Sequence, residues 1–195
     1  MKKVEHGKTF DRNAANPPAF EIFHNTVTEG YPKHWHTAIE IIMPTRGEYE
    51  VVVGKDSYNL KEGDIIMINS GVVHGMRFVS QGERIVMLVE PGCVENQEEM
   101  ETIFLRLPAI YFKKEDEEDP FYLFLRSQIL ELVREYDNEG AVMTHRICTG
   151  LKELFSEFGR KGFSDANAQN TFGAMKQQEY ICLLYTSPSP RDISG

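Results

Sequence analysis

Between Phe20 and Glu90 the chain is cut into strand-length pieces by turn residues, and this punctuation restricts the fold more than any other feature. FEIFHNTV, HWHTAIEIIMPT, EYEVVVG, SYNL, IIMIN, VVHGMRFV and RIVMLVE alternate with turn residues. The separators include Arg46-Gly47, Gly54-Lys55-Asp56, Lys61-Glu62-Gly63-Asp64, Ser70-Gly71, Gln81-Gly82 and Pro91-Gly92. Glycine and asparagine-type turns joining short apolar runs are hairpin chemistry. Strands this short at this spacing predict a sandwich or barrel rather than a parallel α/β sheet.

The second and sixth of these pieces carry the chemistry. If HWHTAIEIIMPT is one long strand between Pro32 and Pro44, then His34, His36 and Glu40 share a face, because alternate side chains of a strand point the same way. A further strand then brings in His74. Three imidazoles and a carboxylate meeting inside a small β-structure make either a metal site or the polar floor of a ligand pocket. As a metal site they suit Zn, Mn, Fe or Ni and leave coordination positions open. As a pocket floor they hydrogen-bond an organic effector. Glu40 has a third option, an ion pair with Arg46 or Arg77. Trp35 alternates with the two histidines and is expected to face away from them. His24 is expected at the surface or as a cap, and Arg77 to point outward from the strand that carries His74.

After Cys93 the pattern changes. QEEMETIFLRLPAIYF combines a short helix with an extended piece broken at Pro108. The acidic run Glu115 to Asp119 reads as a solvated loop, with Asp119 as N-cap and Pro120 at the first helical position. Phe121, Phe124, Leu125, Ile129, Leu132, Val133 and Tyr136 then recur at three and four, as do Ile147, Leu151, Leu154, Phe155 and Phe158. The short Asp137–Gly140 connection predicts two antiparallel helices. Leu123 and Leu130 fall off the first stripe and offer apolar surface for a second contact, to the barrel or to a partner subunit. Cys148 reads as a buried small hydrophobe. A weaker helix is expected from about Phe172 to Leu184.

The layout expected is an arm over 1–19, a barrel over 20–112, a helical hairpin over 113–163, a linker helix over 164–181 and a tail over 182–195. The tail passes from helical pattern straight into SPSPRDISG, and CLLYTSPSPRD reads as translated adapter sequence. Residues from about Cys182 onward are therefore expected to be non-native. The net charge of −9 argues against this polypeptide gripping a phosphate backbone by itself. Three cysteines without close pairing fit a reducing cytosol. The basic N-terminus lacks an apolar stretch behind it, and no run approaches the roughly 20 apolar residues of a membrane span. A soluble cytoplasmic protein with no membrane partner is expected.

Two spacings are specific enough to resemble a family. Gly30, His34, His36, Glu40 and Gly47 give H-x-H-x(3)-E-x(6)-G, and Gly63, Asn69, Gly71 and His74 give G-x(5)-N-x-G-x(2)-H. Together they resemble the two cupin motifs, which implies a small β-barrel of the double-stranded β-helix or jelly-roll type. The family's metal ligands would fall on His34, His36, Glu40 and His74. Asn69 stands where the family usually has Pro, and Phe78 where it has Asn; neither removes a ligand. The wider order is an arm, a barrel containing KEGDIIMINSGVVH, two antiparallel helices and a KQQEYI-like linker. It resembles the sensor half of AraC-type transcription regulators. That resemblance implies a small effector in the barrel, often a sugar or related metabolite, and a homodimer through the helical hairpin. DNA binding would come through a helix-turn-helix domain that this chain does not contain. It assigns no catalytic residue, and the same four side chains would bind the effector. The alternative is a metal-dependent cupin enzyme of isomerase or dioxygenase type.

Overall fold

The structure is a computed structural model, and it describes residues 19–26, 30–93, 108–116, 118–138, 140 and 142–161. The chain divides into a compact unit, Met1–Gly162, and a second, Phe163–Gly195, none of whose residues is among those described. The expected arm through residue 18, the short helix before Pro108, the linker helix and the tail lie outside the described residues.

Among the described residues, nine strands form two antiparallel sheets. They are β1 (Phe20–Asn25), β2 (Tyr31–His34), β3 (Ile39–Arg46), β4 (Tyr49–Val53), β5 (Asp56–Leu60), β6 (Ile65–Ile68), β7 (His74–Phe78), β8 (Glu83–Val89) and β9 (Ala109–Phe112). One sheet runs β1-β8-β3-β6-β9 and the other β2-β7-β4-β5. Helices α1 (Pro120–Asp137) and α2 (Met143–Lys161) follow. The expected mainly β barrel followed by a helical hairpin is the architecture observed.

The five-stranded sheet lies between two layers. Its register places Glu40 opposite Leu88 and Ile68, and Ile42 opposite Val86 and Ile66, all on the face turned toward the second sheet. Ile41, Met87 and Met67 share the other face. Both faces are therefore buried, and β3 and β6 lose the alternation of a half-exposed strand and read as continuous apolar runs. The second sheet keeps its alternation, with Tyr49, Val51 and Val53 buried and Glu50 and Val52 partly exposed.

Helix α1 crosses the outer face of the five-stranded sheet. Phe121 packs on Phe112 of β9 at 5.6 Å between ring centroids, and Tyr136 meets Phe20 of β1 at 6.2 Å. β9 and β1 are the two edges of that sheet. Fifteen residues of helix span about 22 Å, close to the roughly 19 Å across five strands, so one straight helix reaches from edge to edge. Its start is as the sequence predicts: the Asp119 carboxylate accepts from the Phe121 N–H at 2.9 Å and Pro120 opens the helix. The buried stripe is Tyr122, Leu125, Ile129 and Leu132. Tyr122 is not in the expected stripe; its hydroxyl donates to the Gly63 carbonyl at 2.8 Å and ties the helix to the turn before β6. Helix α2 buries Ile147, Leu151, Leu154, Phe155 and Phe158, and Phe158 meets both Phe112 and Phe121. Gly150 faces Leu132 so closely that a Cβ there would lie 2.9 Å from its Cδ2, so the two helices pack closely at this point. Leu123 is 50 % exposed, Leu130 half-buried, and Cys148 half-buried rather than buried.

Candidate metal and ligand centre

The four predicted side chains do meet, but not by the route the alternation implied. HWHTAIEIIMPT is not one strand. β2 ends at His34, the chain bends over residues 35–38, and β3 begins at Ile39 in the other sheet. Closing a barrel requires a strand to leave one sheet and enter the next, and this corner makes that passage. His34 thus sits on an edge strand of one sheet, Glu40 on an interior strand of the other, and His36 in the corner between. The corner is fastened to the β6–β7 turn, where the Gly71 N–H donates to the His36 carbonyl at 2.8 Å. Gly71 adopts φ 73°, a conformation open to glycine at little cost. His74, opening β7, pairs with His34 in register.

All four offer donor atoms within 4.8 Å of one another. Glu40 Oε2 lies 2.9 Å from His36 Nε2 and 3.0 Å from His74 Nε2. The His34 and His74 rings are 4.5 Å apart, and those of His36 and His74 4.9 Å. Glu40 and His74 are buried, and His34 is the exposed member. Each ring is also held from behind. Nδ1 of His34, His36 and His74 faces the carbonyl oxygens of Pro32, Ala38 and Val72 at 2.8 to 2.9 Å. Carbonyl oxygens only accept, so each Nδ1 carries the proton and each Nε2 is turned toward the centre.

This produces a conflict at two of the rings. A carboxylate also only accepts, so His36 and His74 face acceptors at both nitrogens, whereas a neutral imidazole has a single N–H. A cation standing where the Nε2 protons would be removes the conflict. Burial alone would raise the Glu40 pKa. The hydrogen bonds from His36 and His74, with their charge, outweigh it and hold the carboxyl well below the ordinary carboxylate range. Burial holds His34 below the ordinary imidazole value, against the opposing effect of its bond to the Pro32 carbonyl; neighbouring His74 lowers it further. A divalent ion among the Nε2 atoms and Glu40 Oε2 would satisfy every donor and acceptor with neutral rings, so the residues fit a metal.

The other options for these residues are decided by geometry. Arg46 pairs with Glu83 at 3.3 Å and Arg77 with Glu50 at 3.6 Å, so neither is the partner of Glu40. Arg77 points outward as expected. His24 is half-buried on the outer face of β1, 4.0 Å from Glu83. Trp35 is half-buried. The three carbonyls behind the rings, and the Gly71 bond that locks the corner, could not be read from side-chain identity, because they are backbone groups brought near by the bends.

Two antiparallel sheets closed around a three-histidine, one-glutamate centre have the fold of a cupin-type barrel. Residues 25–90 match the family model described as "Cupin domain". Among solved structures, the chain is similar to an apo ToxT variant from Vibrio cholerae strain SCE256, at 13 % identity and TM-score 0.49, covering 88 % of this chain and 66 % of that one. It is also similar to the conserved SPY1581 protein of unknown function from Streptococcus pyogenes, at 18 % identity and TM-score 0.34, covering 37 % and 63 %. A third is a mutant of Bacillus subtilis oxalate decarboxylase OxdC, at 19 % identity and TM-score 0.32, covering 36 % and 20 %. The chain therefore spans less than two thirds of each of these proteins. No curated protein matches it. Among the described residues, no helix is long and apolar enough to cross a membrane.

Proposed function

We propose that this chain is the effector-sensing and dimerisation region of an AraC-type transcription regulator, with a small molecule bound in the barrel beside His34, His36, Glu40 and His74. The observation that carries the reading is the seating of the hairpin. α1 spans the outer face of the same sheet whose inner face presents Glu40, so one sheet separates the centre from the helices. A ligand that displaces β3 is felt on the outer face through Ile39 and Ile41, since a packed core transmits strain. Exposed Leu123 on α1 supports pairing with a second copy. The four side chains would hold a first-row divalent ion, Zn, Mn, Fe or Ni, and the ion would supply a Lewis acid at the effector's polar end; without an ion the same side chains would hydrogen-bond the effector directly.

The second reading is a metal-dependent enzyme of isomerase or dioxygenase type, and the intact ligand set favours it. Sequencing the source locus downstream of Tyr180 separates the two. The regulator reading expects the frame to continue for roughly 100 residues of basic, helix-turn-helix character. A different continuation, together with metal-dependent turnover by the purified protein, would overturn it.

A further inference from the structure

The four residues of the centre are not held alike. His34 ends β2, Glu40 lies in β3 and His74 opens β7, so the backbone of each is fixed by a strand ladder. His36 lies outside the strands, in the bend over residues 35–38 that carries the chain from one sheet to the other. Its Nε2, 2.9 Å from Glu40 Oε2, therefore depends on whatever fixes that bend.

On one side the Gly71 N–H holds the His36 carbonyl at 2.8 Å. On the other a side-chain strut reaches across from β8. The Thr37 hydroxyl donates to the Glu90 carboxylate, 3.0 Å from one oxygen and 3.2 Å from the other. Glu90 directly follows β8, and its own N–H donates to the Ala19 carbonyl at 2.9 Å, which continues the β1–β8 ladder by one step. The carboxylate is thus carried by the end of the five-stranded sheet. Thr37 stands between His36 and Ala38. Pinning it fixes both the backbone that bears the ring and the residue whose carbonyl faces His36 Nδ1 at 2.9 Å. Ala38 is buried against Val86 and Leu88 of β8, the strand that leads to Glu90. Thr37 itself is exposed and Glu90 only partly buried. Water could satisfy both groups, so the contact adds little to global stability. What it supplies is geometry.

We propose that Glu90, acting through Thr37, is a positioning residue of the centre, holding His36 Nε2 where it shares an ion with His34, Glu40 and His74. The inference rests on the reading that the centre binds a first-row ion. Groups that orient a metal-binding histidine from outside typically govern affinity by roughly 10- to 100-fold.

The test is competition of the full chain with a chelator for cobalt(II), a first-row ion whose visible absorption reports its ligand geometry. Thr37→Val removes the hydroxyl and keeps the shape. Cobalt affinity should fall about tenfold or more, with altered absorption bands, while the melting temperature of the metal-free protein stays within about 2 °C. Thr37→Ser restores the hydroxyl and should stay within about threefold of the parent. Glu90→Ala should match Thr37→Val, and the double variant should be no weaker than either, because the two substitutions remove one contact. An unchanged affinity and spectrum in Thr37→Val, an equal loss in Thr37→Ser, or additive losses in the double variant would overturn the proposal. Hydrogen exchange of the metal-free protein separates it from the metal reading. The Gly71 amide, bonded to the His36 carbonyl, should exchange at least about threefold faster in Thr37→Val than in the parent. If the parent binds no cobalt, the metal reading fails and this exchange decides the strut: faster exchange upholds the positioning of the bend, and an unchanged rate overturns it.

Discussion

Replacing Glu40 with glutamine tests the chemistry of the centre while leaving its shape. In the metal-free protein the substitution removes two charge-assisted hydrogen bonds, from His36 and His74, worth about 1.5–3 kcal/mol each. It also removes a buried charge whose desolvation costs several kcal/mol. The two nearly cancel, so the metal-free variant should unfold within about 2 kcal/mol of the parent at neutral pH. Metal separates them. An ion present at a hundred times its Kd stabilises the parent by about 2.7 kcal/mol, or roughly 5–10 °C for a domain of this size. Loss of the anionic ligand should weaken binding by about a hundredfold or more, leaving near 0.4 kcal/mol at the same ion concentration. Differential scanning calorimetry with and without zinc or manganese reads this directly. Acid adds a second axis. The carboxyl pKa of Glu40 is depressed in the folded state, so its contribution to stability is present above the unfolded value of about 4.3 and is lost as pH falls through the folded value. His34 is held below its ordinary value, so protonating it in the unfolded chain opposes folding in the same direction, from about pH 6.5 downward. The parent should lose stability steadily into acid, and Glu40→Gln more gently. Equal metal-induced shifts in parent and variant, or none in the parent, would refute the assignment.

Leu123→Glu should turn a dimer into a monomer by sedimentation equilibrium while changing stability by less than about 0.5 kcal/mol, since the side chain is exposed; a variant that stays dimeric would clear this face of the role. Asp64→Ala should cost about 3 kcal/mol in urea unfolding, because the buried carboxylate accepts from the Lys61 and Lys114 N–H groups and from the Tyr111 hydroxyl. Gly82→Ala should cost about 1–3 kcal/mol, because the added methyl falls on the Arg46 carbonyl and 2.8 Å from Tyr49 Oη; unchanged unfolding would mean that the turn relaxes freely.

The barrel was legible because its turns are written in residue types with local consequences. Gly47, Gly63 and Gly71 hold positive φ where the sequence places turns, and Asp119-Pro120 starts a helix where capping chemistry demands. The four centre residues were legible from spacing, but their geometry was not. A long apolar run with two histidines reads as one strand, and nothing in HWHTAIE marks the corner at 35–38, because bending there serves barrel closure rather than local preference. Tyr122 escaped the expected stripe for a related reason: its burial depends on the Gly63 carbonyl far away in sequence. Arg84 was equally hidden. An Arg beside Glu at the start of RIVMLVE looks like a solvated strand end, and only the pairing of β8 with β1 and β3 turns it inward.

The two functional readings make opposite demands on the sheet they share. A catalyst gains from a rigid wall behind Glu40, since small displacements of a reacting group are costly. A sensor needs that wall to have two arrangements that its ligand distinguishes. The outer face is anchored to α1 by aromatic contacts at both edges, Phe112 to Phe121 and Phe20 to Tyr136. The inner face of one of those edges carries Phe23 against Val86 and Leu88, and Asn25 against Tyr31. β1 therefore faces the barrel interior on one side and the C-terminal end of α1 on the other. Phe20, which holds Tyr136 near the turn that joins the two helices, opens β1, and Asn25 closes it, so a ligand that shifts the barrel side of β1 acts on the hairpin through the whole strand. That path from barrel interior to hairpin runs through a single strand, and it serves a sensor better than a catalyst.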